Sequence, residues 1–208
     1  PLRFARQDAE ALAKTLVDRC GFPEGNVVLM TDGRDVRLAD PGRYPTRSNL
    51  RNRINRLAEI VGPKDVLLIV FSGHGINIDG RGYLGPVDGT GDDVSSLVPL
   101  AWVTTTLETS PASQRLLILD ACHAGAKAGP GDSPAAAVNA AVSGAAFLTL
   151  ASCESQELSH ENEDTGHGVF STALIKGLTG AADHTAEGNR DGTITASELF
   201  AYAALFEN

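Results

Sequence analysis

The sequence predicts an α/β sandwich: a largely parallel sheet with helices packed on its faces. Three observations carry this. Residues 65–71 (Asp-Val-Leu-Leu-Ile-Val-Phe) and 116–120 (Leu-Leu-Ile-Leu-Asp) are apolar without alternation, as strands covered on both faces are. Helical patterns, with apolar residues three and four apart, alternate with these strand-like runs. The 208 residues suffice for one domain with a substantial core.

Taken in order, residues 8–19 read as an amphipathic helix with Leu12, Leu16 and Ala9 inward and Gly21 beyond its end. Residues 26–31, Asn-Val-Val-Leu-Met-Thr, read as a strand, and residues 32–45, carrying Gly, Pro and Asp, as an exposed loop. Thr46 or Ser48 is placed to cap a helix reaching about Val61, with Leu50, Ile54, Leu57 and Val61 on its buried face. Arg47, Arg51, Arg53 and Arg56 fall mostly on the other faces. No aromatics interleave with them, so they read as a solvated helix face rather than a nucleic-acid patch.

After the strand at 65–71, residues 76–84 form a short hairpin turning through Asp79-Gly80. Residues 87–96 are an acidic loop, and residues 97–108 lead through a short helix into the strand at 116–120. Residues 125–134 are a Gly/Ala/Pro linker, and Ser133-Pro134 opens an alanine-rich helix, serine as cap and proline at the first position. Residues 146–152 are another buried strand, followed by an acidic loop with Glu154, Glu157, Glu161, Glu163 and Asp164. A helix over 169–178 bounded by Gly180, a Gly/Asp loop and a helix from about Ala196 complete the chain.

Composition narrows the function. The net charge is −9, but residues 1–81 hold 13 Lys/Arg against 10 Asp/Glu, while residues 82–208 hold 4 against 16. An acidic field over the second part concentrates basic substrates and repels nucleic acid, although the same acids also serve solubility. Three cysteines, Cys20, Cys122 and Cys153, make no disulfide framework, which points to a reducing, cytoplasmic setting. No run reaches the roughly 18 apolar residues of a membrane helix, and the N-terminus does not read as a signal peptide. A monomer is expected.

The chemistry collects at two strand ends. Ser72-Gly73-His74-Gly75 follows one buried strand, and Asp120-Ala121-Cys122-His123-Ala124-Gly125 ends the next. Open α/β sheets place their chemistry at such carboxyl edges. A lone cysteine is more often a small buried hydrophobe. A histidine at the matching end of the neighbouring strand changes that reading, because a thiol nucleophile needs a lowered pKa or a nearby base. His74 is the candidate base and Cys122 the candidate nucleophile, while His123, on the other side of its chain, is expected to pack.

These two motifs resemble those of the metacaspases and their prokaryotic relatives, the orthocaspases. The similarity continues through Phe4-Ala5-Arg6-Gln7-Asp8-Ala9 and His167-Gly168-Val169-Phe170-Ser171, and so covers nearly the whole chain. The separation of 48 positions between His74 and Cys122 matches the roughly 50 of caspases. The resemblance implies a caspase-like three-layer αβα sandwich in one peptidase domain over 1–208. Residues 1–125 would be large-subunit-like, 126–145 a linker and 146–208 small-subunit-like. In the family a central strand precedes the first helix, so an N-terminal piece is expected before Pro1.

The same resemblance implies a cysteine endopeptidase that cleaves after Arg or Lys. Its oxyanion hole would be the backbone N–H groups of Gly75 and Cys122, where glycine allows close approach. Asp120, two positions before Cys122 and so on the same side of an extended chain, would pair with the basic residue of the substrate. Caspases, which cleave after Asp, carry glutamine there. Asp8 and Ser72 would line the same pocket, although Asp8 equally suits a helix N-terminal acid. Ala5 stands where some relatives have cysteine.

Calcium is a candidate cofactor, although the chemistry itself requires none. Asp88, Asp92 and Asp93 occupy the neighbourhood in which many metacaspases bind it, with a different spacing. Residues 187–198 also fit an EF-hand loop, with Gly192 sixth and Glu198 twelfth, but Glu187 in first place crowds it. Thr195 and Glu198 as a capping box explain that end better. Lys127 is the sole basic residue of the linker and hence the expected processing site. The partner is a peptide or protein with a basic residue before the cut, and neither nucleic acid nor membrane is expected. A caspase-fold interaction module without activity is the alternative. A nucleotide-binding domain is not supported, since no strand is followed by a phosphate loop.

Overall fold

The computed structural model describes residues 4–123, 148–152, 161–162 and 167–205. The linker with Lys127, the alanine-rich helix expected from Ser133, and Cys153 lie outside the described residues. Two compact units form, one of residues 32–157 and one combining 1–31 with 158–208.

The first unit is built on a five-stranded mixed sheet. In chain order its strands are β1 (Val66–Ile78), β2 (Arg81–Gly85), β3 (Val98–Pro99), β4 (Gln114–His123) and β5 (Leu148–Ser152), arranged β3-β2-β1-β4-β5. β1, β4 and β5 pair in parallel, while β2 runs antiparallel to β1 and to β3. β2 alone is therefore reversed, and the sheet is mostly parallel, as expected. The reversal is made by Asp79 and Gly80, both with positive φ (51° and 74°), the pair of left-handed residues that a tight type I′ turn demands.

Helices α3 (Arg47–Ile60) and α4 (Leu100–Thr109) cover one face of this sheet. Leu67 and Ile69 from β1 and Leu117 and Leu119 from β4 meet Val103 and Leu107 of α4, all buried. Leu50, Ile54, Leu57 and Val61, the stripe read from the sequence, pack against that cluster while remaining partly exposed. Each fully buried leucine is worth about 2 kcal/mol in transfer terms. Thr46 caps α3, accepting from the Asn49 N–H at 3.2 Å. The four threonines of α4, Thr104, Thr105, Thr106 and Thr109, turn their hydroxyls back to carbonyls three or four residues earlier, which satisfies them within the helix.

Three expectations are corrected. Residues 26–31 pair with no strand among the described residues; Glu24–Asn26 wind into a 3-10 turn and Val27 continues extended. Strand-prone side chains suit a pleated surface, but they do not supply a neighbour. The loop at 32–45 contains a helix, α2 (Arg34–Ala39), and a 3-10 turn at Pro41–Arg43, both too short for periodicity to reveal. The arginines of α3 are not a purely solvated face. Arg51 lies over the Trp102 ring at 4.7 Å, Arg47 Nε donates to the Leu97 carbonyl, and Arg53 Nε to that of Gly42.

In the second unit α1 (Ala5–Asp18) buries Asp8, Leu12, Thr15 and Leu16. A two-stranded ribbon, β6 (Glu161–Asn162) with β7 (His167–Gly168), leads into α5 (Val169–Lys176). A wider turn containing Gly180 follows, and α6 (Ala196–Ala204) closes the described chain. No helix among the described residues is long and apolar enough to cross a membrane.

Candidate active site

The parallel ladder between β1 and β4 sets the geometry. Among the described residues its Cα partners run from Val66 with Gln114 to Gly75 with His123, and β1 continues into the hairpin. The last rungs are Ser72 with Asp120, Gly73 with Ala121, His74 with Cys122 and Gly75 with His123. Alternate residues of a strand share a face. Ser72 and His74 therefore share one face with Asp120 and Cys122, in two successive rows at the carboxyl edge of the ladder. The β4–β5 register adds Ser152, which is the Cα partner of Asp120.

His74 sits in the middle of the sheet, with β4 on one side and the hairpin strand β2 on the other. Its ring Nδ1 is buried and has no hydrogen-bond partner among the described residues. Among the described residues no acid reaches that nitrogen as the third member of a triad would. Across the hairpin, His74 pairs with Gly85. A Cβ at Gly85 would come within 3.2 Å of the His74 carbonyl oxygen and 3.3 Å of its Cβ, so glycine leaves the histidine its room. Gly85 escaped notice in the sequence, yet its signal was present. A two-residue turn at Asp79-Gly80 pairs Ile78 with Arg81, and counting back along both strands brings Gly85 opposite His74.

Asp120 is half-buried on β4. Asp8 belongs to the other unit, where it is 4% exposed in the first turn of α1 and its Oδ2 accepts from the Gly168 N–H at 3.2 Å. That bond ties α1 to the start of α5.

Asp88, Asp92 and Asp93 are all exposed and do not converge. Asp88 Oδ1 accepts the Arg47 N–H at 2.7 Å. Asp93 caps the turn at Val94–Ser96, where the hydroxyl and N–H of Ser95 hold its carboxyl below the usual range. Among the described residues no three His, Cys, Asp or Glu side chains gather as metal ligands do. As arranged, these aspartates do not fit a calcium ion. The 187–198 segment is closed by its cap: Thr195 Oγ1 accepts from the Glu198 N–H, and Glu198 Oε2 accepts from the Thr195 N–H at 2.8 Å. Glu198 Oε1 takes the Asn189 N–H, so both carboxylate oxygens are engaged within the loop.

The backbone register brings His74 and Cys122 to one level of the sheet, with Asp120 one row below. Comparison with known proteins agrees in kind. The caspase domain family matches residues 1–195. Metacaspase-1 of Eremothecium gossypii is 28% identical over 138 residues, 60% of this chain and 28% of that protein. Metacaspase-4 and Metacaspase-2 of Arabidopsis thaliana are 30% and 31% identical, each over 60% of this chain and about 30% of their own length. The chain thus spans under a third of the curated relatives it matches. With a match that runs through nearly all of its residues, on a mostly parallel sheet flanked by helices, the chain belongs to the caspase-domain family of cysteine peptidases.

Proposed function

We propose that this chain is a cysteine endopeptidase that cuts after Arg or Lys, with Cys122 as nucleophile and His74 as its base. The observation that carries the reading is the Cα pairing of His74 with Cys122 in the parallel ladder of β1 and β4. His74 takes the thiol proton, and the thiolate attacks the scissile carbonyl carbon. The oxyanion that forms is held by the N–H groups of Gly75 and Cys122. When the C–N bond breaks, the leaving amine takes its proton from His74, and the acyl group stays on sulfur as a thioester. Water, deprotonated by His74, then hydrolyses the thioester, returning the thiol and releasing the acid. No third member is required, because a thiol ionises far more readily than a hydroxyl.

Asp120, with Ser72 beside it, takes the guanidinium or ammonium of the substrate, and Asp8 is a further candidate for that pocket. The acid-rich second part of the chain draws basic substrates towards it. No step here passes through calcium, and Lys127 is the candidate site of cleavage by a second copy. The enzyme acts on protein or peptide as a cytoplasmic monomer, without nucleic acid or membrane. Arg47, Arg51 and Arg53 of α3 are engaged in contacts within their own unit and leave little of a basic patch.

The test is turnover of fluorogenic peptides ending in Arg, Lys or Asp, with calcium or a chelator, by the parent and Cys122→Ala. Cleavage of the basic peptides that vanishes in Cys122→Ala is expected. Equal turnover by that variant removes the nucleophile, and a preference for Asp removes the basic pocket. Binding without turnover by the parent would favour an interaction module.

A further inference from the structure

The hairpin of β1 and β2 extends beyond the His74 row, and its pairing fixes which residues share the face of His74. Directly paired residues of antiparallel strands lie on one face. His74 pairs with Gly85, Ile76 with Tyr83 and Ile78 with Arg81. The Ile76 Cδ1 lies 3.6 Å from the position a Cβ would take on Gly85, which groups Ile76 with Gly85 and His74. One row past the imidazole, two partly exposed side chains of largely apolar surface, Ile76 and Tyr83, are therefore cross-strand neighbours. Level with the imidazole itself, Gly85 carries no side chain.

We infer that this part of the hairpin is the subsite for the chain released by the cut, with Ile76 and Tyr83 selecting an apolar residue just after the scissile bond. The inference rests on the proposed roles of His74 and Cys122. Strand order decides the side. Cys122 on β4 keeps the acyl part, and His74 on β1 hands its proton to the departing amine. β4 lies on one side of β1 and β2 on the other, so the released chain leaves His74 over β2. There it first meets Gly85, where the missing side chain lets a backbone pass closely. The Ile76 and Tyr83 pair comes next, and an apolar side chain laid on it takes apolar surface of all three out of water. Half-covering a leucine side chain in this way is worth about five- to tenfold. A glycine gains nothing there, and an aspartate loses hydration. Asp120 acts on the residue before the cut, so the two preferences are separable.

The experiment compares internally quenched peptides that share an Arg before the cut and differ only in the residue after it: Leu, Gly or Asp. kcat/KM is measured for the parent, Ile76→Thr, Tyr83→Thr, Tyr83→Phe and Cys122→Ala. Threonine removes apolar surface while keeping the strand preference of the hairpin. The parent is expected to favour Leu over Gly about five- to tenfold and to cut before Asp least. Ile76→Thr and Tyr83→Thr are each expected to bring the Leu-to-Gly ratio down to about twofold, while Tyr83→Phe, which keeps the ring, preserves it. The ratio is taken within each variant, so differences in the amount of folded enzyme cancel. A parent indifferent to the residue after the cut overturns the inference and leaves the peptidase reading standing. So does a ratio that survives both threonine variants, as it would if the pair merely stiffened the hairpin. A parent no more active on any peptide than Cys122→Ala overturns the reading itself, and the inference with it.

Discussion

His74 and Cys122 are Cα partners in the parallel ladder of β1 and β4, and the imidazole Nδ1 has no hydrogen-bond partner among the described residues. A base held by sheet registry makes its own prediction. His74→Ala should lower kcat by a factor of 10² to 10⁴, the usual worth of a positioned general base. It should also slow alkylation of Cys122 at neutral pH. Burial pushes the Cys20 thiol up and keeps it protonated there, which makes it a slow internal reference. Peptide mapping after iodoacetamide treatment reads all three cysteines separately. Equal labelling of Cys122 in parent and variant would remove His74 as its activator.

The pocket prediction concerns charge rather than shape. Asp120→Asn keeps the size of the side chain and removes the anion. Hydrogen bonds to a charged group are worth about 1.5–3 kcal/mol, so kcat/KM for Arg peptides should fall roughly 10- to 100-fold. Thiol alkylation at Cys122 should change little, since the loss lies in recognition. An Arg preference that survives the substitution would place the selectivity elsewhere.

Much of this arrangement could be read in the sequence, and the reasons for success and failure are physical. Residues 65–71 and 116–120 announce themselves because an unbroken apolar run has no polar alternation to blur it. The Asp79-Gly80 turn is legible because few dipeptides tolerate two positive φ values. Parallel registry is different. No turn joins β1 to β4 or β4 to β5, so the partnership of Asp120 with Ser72 and Ser152 leaves no local trace. The run at 26–31 misled for the complementary reason, since its side chains suit a strand but its ladder partner would have to come from elsewhere in the chain. Asp8 was open to two readings, pocket wall or helix-end acid. A bond to Gly168, 160 positions away, is beyond any window of residues around it.

That bond predicts that Asp8 matters to stability. A carboxylate 4% exposed, holding a backbone N–H of the β7–α5 junction, costs about 1–3 kcal/mol when removed, because the N–H is left without an acceptor. Asp8→Ala should therefore lower Tm by several degrees in a chain of this size. Asp8→Asn retains an acceptor oxygen and should recover much of the loss. Differential scanning calorimetry at neutral pH decides it. If both variants melt with the parent yet discriminate poorly between Arg and Asp peptides, Asp8 belongs to recognition rather than to the framework.

The capping box at α6 makes a prediction whose sign depends on pH. The Thr195 N–H and hydroxyl, with a further bond from the Asn189 N–H, hold the Glu198 carboxyl below its usual range, against upward pushes from burial and, less, from the Asp183 charge. A carboxyl lowered in the folded state stabilises the fold fully above the ordinary glutamate range. It loses that contribution as pH falls through the depressed folded value. Glu198→Gln should thus melt below the parent at neutral pH and approach it in acid. Thr195→Ala removes the N-cap acceptor and should cost about 1 kcal/mol, or roughly 2–4 °C in Tm. Because both Glu198 oxygens already serve the loop, adding calcium should leave the Tm of the parent unchanged. A calcium-dependent rise in Tm that disappears in Glu198→Gln would mean instead that the segment opens to hold an ion.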